Sequence, residues 1–170
     1  MNKNNSQRKY KCLYITHTNN YRMDYNQERV KIFMNTFEQE CPTKPTIAAE
    51  KIRILRAKLI LEETVEFIDA LGLRLSWKKN NVILKQVKEP DLVKIADAIA
   101  DLEVINKGSA VAFGIDSEKF FNLVMDNNMT KLVNGKPLKR ADGKILKPDG
   151  YKPVTEEIKK LLEKEMNQKS

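Results

Sequence analysis

Apolar residues recur along this chain at helical spacing, in blocks separated by Pro, Gly and Asn. From Asn26 to Glu40, Val30, Phe33, Met34 and Phe37 fall three and four residues apart, which predicts a helix with one apolar stripe. Pro42 and Pro45 end it, and Thr46 is the expected N-cap of the next element. The stretch from about 47 to 72 holds no internal Gly or Pro and reads as one long helix, with Ile52, Leu55, Leu59, Ile60 and Phe67 on its apolar face and Gly72 at its end. Residues 72–90 read as a polar connection around Trp77, Lys78, Lys79, Asn80 and Asn81, with at most a short strand or turn near Val82–Leu84.

Pro90-Asp91 opens a second long helix over about 91–113, closed by Gly114. Leu92, Ile95, Ile99, Leu102 and Ile105 predict that it is largely buried. Ala96, Ala100, Gly108 and Ala112, spaced by multiples of four, would let another helix approach closely. Asp116 or Ser117 caps a third helix to about residue 130, apolar at Phe120, Phe121, Val124 and Met125. Beyond it, Asn134-Gly135, Asp142-Gly143 and Asp149-Gly150 are turn dipeptides between short apolar and basic runs, so 132–152 reads as a small hairpin or ordered loop. Residues 155–168 read as a charged helix with Ile158, Leu161 and Leu162. The expectation is an all-α antiparallel helix bundle with a small C-terminal hairpin or ordered loop. It comprises a basic N-terminal extension over 1–25, one domain over 26–153 and a charged helix over 154–170.

Composition narrows the function classes. The chain has 170 residues, room for one domain with a core. No apolar run approaches the ~18 residues of a membrane span, and the polar start is not a secretory signal. Two cysteines, Cys12 and Cys41, in unrelated contexts point to a reducing cytoplasm. They leave no disulfide framework, and the single His17 excludes sites built on paired histidines. The net charge of +8 is unevenly spread. Residues 1–22 carry five basic residues and no acid, 131–152 carry seven against two, and 23–130 carry 15 against 17. A slightly acidic body between two basic segments suggests a polyanionic partner. The bland alternative is a solvated Lys- and Asn-rich surface.

The candidate chemistry lies on the two long helices. Glu62, Glu63 and Glu66 lie three and four residues apart on one, and Asp97 and Asp101 lie four apart on the other, all among apolar neighbours. Like charges at these spacings repel. Such a set needs a cation, and Mg²⁺, a hard ion that takes oxygen ligands and bridges carboxylates to substrate phosphates, is the natural one, with Mn²⁺ as the alternative.

At these residues the sequence resembles a family. The run from Leu55 to Glu66, containing Leu61-Glu62-Glu63-Thr64-Val65-Glu66, is similar to the first metal-binding helix of the all-α nucleoside triphosphate pyrophosphohydrolases. That superfamily includes MazG-type enzymes, dimeric dUTPases and phosphoribosyl-ATP pyrophosphohydrolase. The run from Ile95 to Leu102 resembles its second metal-binding helix, and Val111-Ala112-Phe113-Gly114-Ile115-Asp116 resembles the segment that ends it. Asn127-Asn128-Met129-Thr130-Lys131 resembles an NxxK motif, and Gly135-Lys136-Pro137 with Asp142-Gly143-Lys144-Ile145-Leu146-Lys147-Pro148 resembles a basic C-terminal loop. The likeness covers about 28–153. In one departure, Ala98 stands where many relatives carry the first acid of an ExxD, so the upstream acid here is Asp97, four residues before Asp101.

The resemblance implies Mg²⁺-dependent hydrolysis of a nucleoside triphosphate, or a related nucleotide, to monophosphate and pyrophosphate. It implies metal ligation by Glu62, Glu63, Glu66, Asp97 and Asp101, with Glu62 or Glu63 as general base. Asn128 and Lys131 would contact the substrate, and Lys144, Lys147 and Tyr151 would close over the phosphates. Relatives assemble as homodimers or dimers of dimers, and neither a membrane nor a nucleic acid is expected as partner. The competing reading is a basic helical module that binds nucleic acid or another partner without catalysis, in which the acids are structural.

Overall fold

The computed structural model of the chain describes residues 24–167. Its helices are α1 (Tyr25–Thr36), α2 (Glu50–Ala70), α3 (Leu92–Ala112), α4 (Ser117–Met129) and α5 (Thr155–Asn167). Two small antiparallel hairpins interrupt them. β1 (Leu73–Lys78) and β2 (Asn81–Gln86) lie between α2 and α3, while β3 (Leu132–Val133) and β4 (Lys136–Pro137) follow α4. The fold is therefore mostly helical but not purely so. Of the expected N-terminal extension, residues 1–23 lie outside the described residues.

The first hairpin corrects the reading of 72–90 as a polar connection. Its register pairs Leu75 with Leu84 and Trp77 with Val82, so Leu73, Leu75, Trp77, Val82 and Leu84 share one face. Arg74, Lys78 and Lys85 alternate onto the other. Lys79 takes the left-handed conformation at the turn, φ 55°. Gly72 closes the base at φ 75°, where a Cβ would come within 2.3 Å of the Lys88 carbonyl oxygen.

Aspartates set the helix starts. Asp91 accepts from the backbone N–H groups of Val93 and Lys94 at 3.0 and 3.2 Å, Asp116 from Glu118 at 3.3 Å, and Asp24 from Asn26 at 3.1 Å. α2 departs from expectation. Its N-cap is Ala49, without a side-chain cap. Thr46 instead donates its backbone N–H to the Phe113 carbonyl at 3.0 Å, pinning the α1–α2 loop against the end of α3. Gly114, at φ 65°, makes that approach sterically feasible, since a Cβ there would lie 2.1 Å from the Lys44 carbonyl oxygen.

The central pair is α2 with α3. Asp91 donates its backbone N–H to the Ala70 carbonyl at 2.9 Å, and at the far end of the pair Gly108 lies against Arg56. The start of one helix thus meets the end of the other, and the pair is antiparallel, as expected. The same two contacts set the register: Glu66 stands level with Asp97, and Glu62 and Glu63 stand level with Asp101.

Gly108 has a different use from the one its spacing suggested. A Cβ on it would stand 2.8 Å from Arg56 Nη1, so the missing side chain makes room for a guanidinium. Arg56 is only 7% exposed, and Nη2 donates to Gln39 Oε1 at 2.8 Å. Burial lowers its pKa from the ordinary arginine value.

The apolar core is small. Among the described residues only Met34, Ala70, Ala98, Val111 and Ala112 are fully buried apolar side chains, with Val30, Cys41, Ile52 and Phe113 packed partly against them. The expectation that the second long helix is largely buried does not hold within one chain: Leu92 is 79% and Ile99 52% exposed. Phe121 on α4 is 62% exposed, and Trp77 on the hairpin 67%. Monomers rarely leave this much contiguous apolar helix surface uncovered.

Gln27 ties α1 to the turn that launches α4. At 1% exposure it donates to the Ile115 carbonyl at 2.7 Å and accepts from Ser117 N–H at 3.0 Å and Ser117 Oγ at 2.7 Å. Replacing it by Leu strands a carbonyl and an N–H. We expect Gln27→Leu to lose about 2–3 kcal/mol in urea unfolding, the cost of unmade buried hydrogen bonds. An unchanged midpoint would contradict the role.

Candidate active site

The acids occupy adjoining turns of α2 and α3. Glu63 and Asp101 are half-buried, while Glu62, Glu66 and Asp97 are exposed. Their neighbourhood is electrostatic rather than hydrogen-bonded: none of the five makes an ion pair or a hydrogen bond among the described residues. Glu63 is the focus. Its carboxyl is held above the usual glutamate range, first by desolvation and then by the charges of Asp101, Glu66, Glu62 and Asp97. All five acids singled out from the sequence therefore act on one point.

The donor set consists of hard carboxylate oxygens, which fits Mg²⁺. Among the described residues no three acidic, His or Cys side chains converge closely enough to enclose a metal ion by themselves. Nor does Mg²⁺ require such a cage, because it usually takes one or two carboxylates and completes its shell with waters and substrate phosphates.

A second group forms where α4 ends. Lys131 Nζ donates to Asn128 Oδ1 at 2.6 Å, which brings the two residues of the NxxK pattern together. The Tyr151 ring, returning along the C-terminal loop, receives Lys131 Nζ at 5.5 Å and Lys147 Nζ at 5.3 Å from its centroid. Asn127 Nδ2 donates to the Tyr151 hydroxyl at 2.7 Å. Asn128, Lys131, Lys147 and Tyr151 were singled out from the sequence and are brought together. Asn127 carries no such signal in the sequence, because its partner lies 24 residues away. Lys144 is not part of the group. Its backbone N–H caps Asp142 at 3.1 Å in the turn where Arg140 also pairs with Asp142.

No hydrogen bond or ion pair among the described residues joins the two groups within one chain. α4 packs on α5, and it does not pack along α2 or α3 over the acids. A hollow of about 240 Å³ between α1, the α3–α4 turn and α5, lined by Gln27, Lys31, Asp116, Lys119 and Glu165 among others, contains no residue of either group.

A mostly helical chain with clustered acids on its two longest, antiparallel helices has the architecture expected of a helical hydrolase of phosphoric anhydrides. The family model for phosphoribosyl-ATP pyrophosphohydrolase matches residues 30–128, and the chain belongs to that family. The match runs from α1 to the end of α4. It includes all five acids and Asn128, and it stops before Lys131, Lys144, Lys147 and Tyr151. None of the curated proteins compared with the chain matches it. No helix among the described residues is long and apolar enough to cross a membrane.

The raised Glu63 carboxyl gives a signed prediction. A carboxyl whose pKa is higher in the fold than in the unfolded chain favours the folded state while protonated. That advantage is lost as pH rises through the ordinary carboxylate range to the folded value. At neutral pH without divalent metal, Glu63→Gln is expected to raise Tm by a few degrees. The gap should close as pH is lowered into the carboxylate range and the wild-type residue also becomes neutral. A lower Tm for the variant at neutral pH would contradict the crowding.

Proposed function

We propose that this chain is a Mg²⁺-dependent nucleotide pyrophosphohydrolase that converts a nucleoside triphosphate, or a related nucleotide, to the monophosphate and pyrophosphate. The observation that carries the reading is the set of five carboxylates, none of them ion-paired among the described residues, that converge electrostatically on Glu63, in a chain of the phosphoribosyl-ATP pyrophosphohydrolase family. Glu62, Glu66, Asp97 and Asp101 would hold the metal, with Mn²⁺ as the alternative ion. Bound metal supplies charge neutralisation on phosphoryl oxygens and makes water more acidic. Glu63, whose affinity for a proton is raised, takes the proton from the attacking water at its carboxylate. The water oxygen forms the new P–O bond and the anhydride bond breaks, with pyrophosphate as the leaving group. Asn128 and Lys131 hold the substrate, and Lys147 with Tyr151 extends that contact along the phosphates.

The separation of the acidic and cationic groups favours a homodimer or a dimer of dimers as the working form. α4 carries an exposed apolar stripe, Phe121, Val124, Met125 and Met129, and α2 and α3 leave Leu55, Leu61, Val65, Ile99 and Val104 exposed. Seating α4 of one copy on the α2–α3 pair of another would bury both and carry Asn128 and Lys131 toward the acids. Neither a membrane nor a nucleic acid is part of this reading, and a cytoplasmic location is the setting proposed for it.

The test is release of pyrophosphate from a panel of nucleotides with and without Mg²⁺. Metal-dependent release is expected, with Asp101→Asn lowering kcat by about 100-fold or more while the fold persists. Lys131→Ala should cost about tenfold or more in kcat/KM, from loss of a charge-assisted contact. A salt-sensitive shift of nucleic acid with no hydrolysis of any nucleotide would favour the binding-module reading instead. A monomer in light scattering at micromolar concentration would contradict the assembly.

A further inference from the structure

The C-terminal basic segment carries seven basic residues over 131–152, yet the structure treats them differently. Arg140 is neutralised by Asp142, and Lys144 faces the same turn through its backbone. Lys131 and Lys147 have no acid. Neither makes an ion pair among the described residues, and both ammonium groups instead rest on one aromatic ring. Two cations gathered on a single ring repel each other, and the ring's electron-rich face offsets that only in part. An anion carrying at least two charges would relieve that repulsion.

The ring is itself fixed. Its hydroxyl oxygen accepts from Asn127 Nδ2 at 2.7 Å, a bond between α4 and the far end of the loop. Because that oxygen is the acceptor, the phenolic O–H remains available to donate. Asn127, Asn128, Lys131 and Tyr151 are half-buried, whereas the loop between Leu132 and Lys147 is exposed throughout. The Asn127–Tyr151 bond is thus the point at which a long, exposed loop is fastened to a helix.

We infer that Asn127 and Tyr151 are positioning residues that latch the C-terminal loop to α4 and gather Lys131 and Lys147 into a two-ammonium clamp for a condensed phosphate. The ligand class is a di- or triphosphate chain. Asn127 touches no ligand and acts only through the Tyr151 hydroxyl. Tyr151 acts through its ring, which spaces the two ammonium groups, and through its O–H, which is left free to meet a phosphate oxygen. The inference rests on the proposed nucleotide chemistry for the owner of the phosphate chain, but the clamp can be tested without turnover.

The experiment is calorimetric titration of the full chain with inorganic pyrophosphate and with tripolyphosphate at fixed ionic strength, followed by steady-state kinetics on the same variants. We expect Lys131→Ala/Lys147→Ala to weaken binding at least tenfold. Tyr151→Leu should do the same, whereas Tyr151→Phe, which keeps the ring but loses the latch, and Asn127→Ala should each weaken it only severalfold. In turnover, Asn127→Ala should raise KM by more than it lowers kcat, a split that general loss of structure would not produce. Equal pyrophosphate affinity in wild type, Asn127→Ala and Tyr151→Leu would overturn the clamp. So would Tyr151→Phe behaving like Tyr151→Leu, since the ring would then have no role. Variant-sensitive polyphosphate binding with no nucleotide hydrolysed would support the clamp and overturn the hydrolase reading. Metal-dependent hydrolysis with polyphosphate binding indifferent to these variants would do the reverse.

Discussion

Carboxylates gathered on two packed helices, none of them ion-paired among the described residues, are the constraint around which this molecule is arranged. The antiparallel α2–α3 register, set by Asp91 on Ala70 at one end and Arg56 against Gly108 at the other, holds Glu62, Glu63 and Glu66 level with Asp97 and Asp101. Desolvation first, and then the charges of the other four, raise the Glu63 carboxyl. A fold does not keep such a cluster for stability, since each acid would be better placed beside a lysine or in water. The cluster is stable in company with positive charge, which in the proposed chemistry is metal. The same electrostatics that destabilise the metal-free form would strengthen the hold on a divalent ion.

Among the described residues, the cations that gather lie elsewhere. Lys131 and Lys147 meet on Tyr151 beyond the end of α4, and α4 turns toward α5 rather than back along the acids. That direction is set by the Gln27 network on Ile115 and Ser117 and by the Gly114 turn. Keeping the two groups apart within a copy prevents the lysines from quenching the acids as salt bridges. In the proposed dimer both would become available to a polyanion and its metal. The small core and the exposed apolar stripes on α2, α3 and α4 belong to the same economy, because surface left bare in one chain is what a second chain would cover.

Much of this was legible in the sequence, for identifiable reasons. Helical periodicity and the aspartate caps at Asp91 and Asp116 gave α3 and α4 nearly to the residue. The three-and-four spacing of Glu62, Glu63 and Glu66 gave the acid face. The first hairpin was not legible, because Lys79-Asn80 is not a customary turn pair and the lysines around Trp77 mask the alternation of Leu73, Leu75 and Trp77 with Val82 and Leu84. Polar residues doing core work were also hidden. Arg56 follows Ile52 by four along the inner side of α2, and Gln27 precedes Val30 and Met34 on the α1 stripe. Their positions in the apolar period were the available signal, and chemical type argued against reading it. Gly108 looked like room for a helix and is room for a guanidinium. The burial expected for α3 failed because apolar content cannot distinguish a face covered by the same chain from one awaiting another.

The central claim is that the acidic group of one copy works with the cationic group of a second. Mixing two separately inactive variants tests it directly. Asp101→Asn protein would be combined with Lys131→Ala/Lys147→Ala protein under conditions that allow subunits to exchange, and pyrophosphate release followed. If the two groups come from different copies, each mixed dimer holds one site with both groups intact, and activity should recover to about a quarter of wild type at equal mixing. If both groups come from the same copy, every site in every mixed dimer carries a defect. Activity that stays at the level of the separate variants, in a mixture shown to have exchanged, would contradict the account.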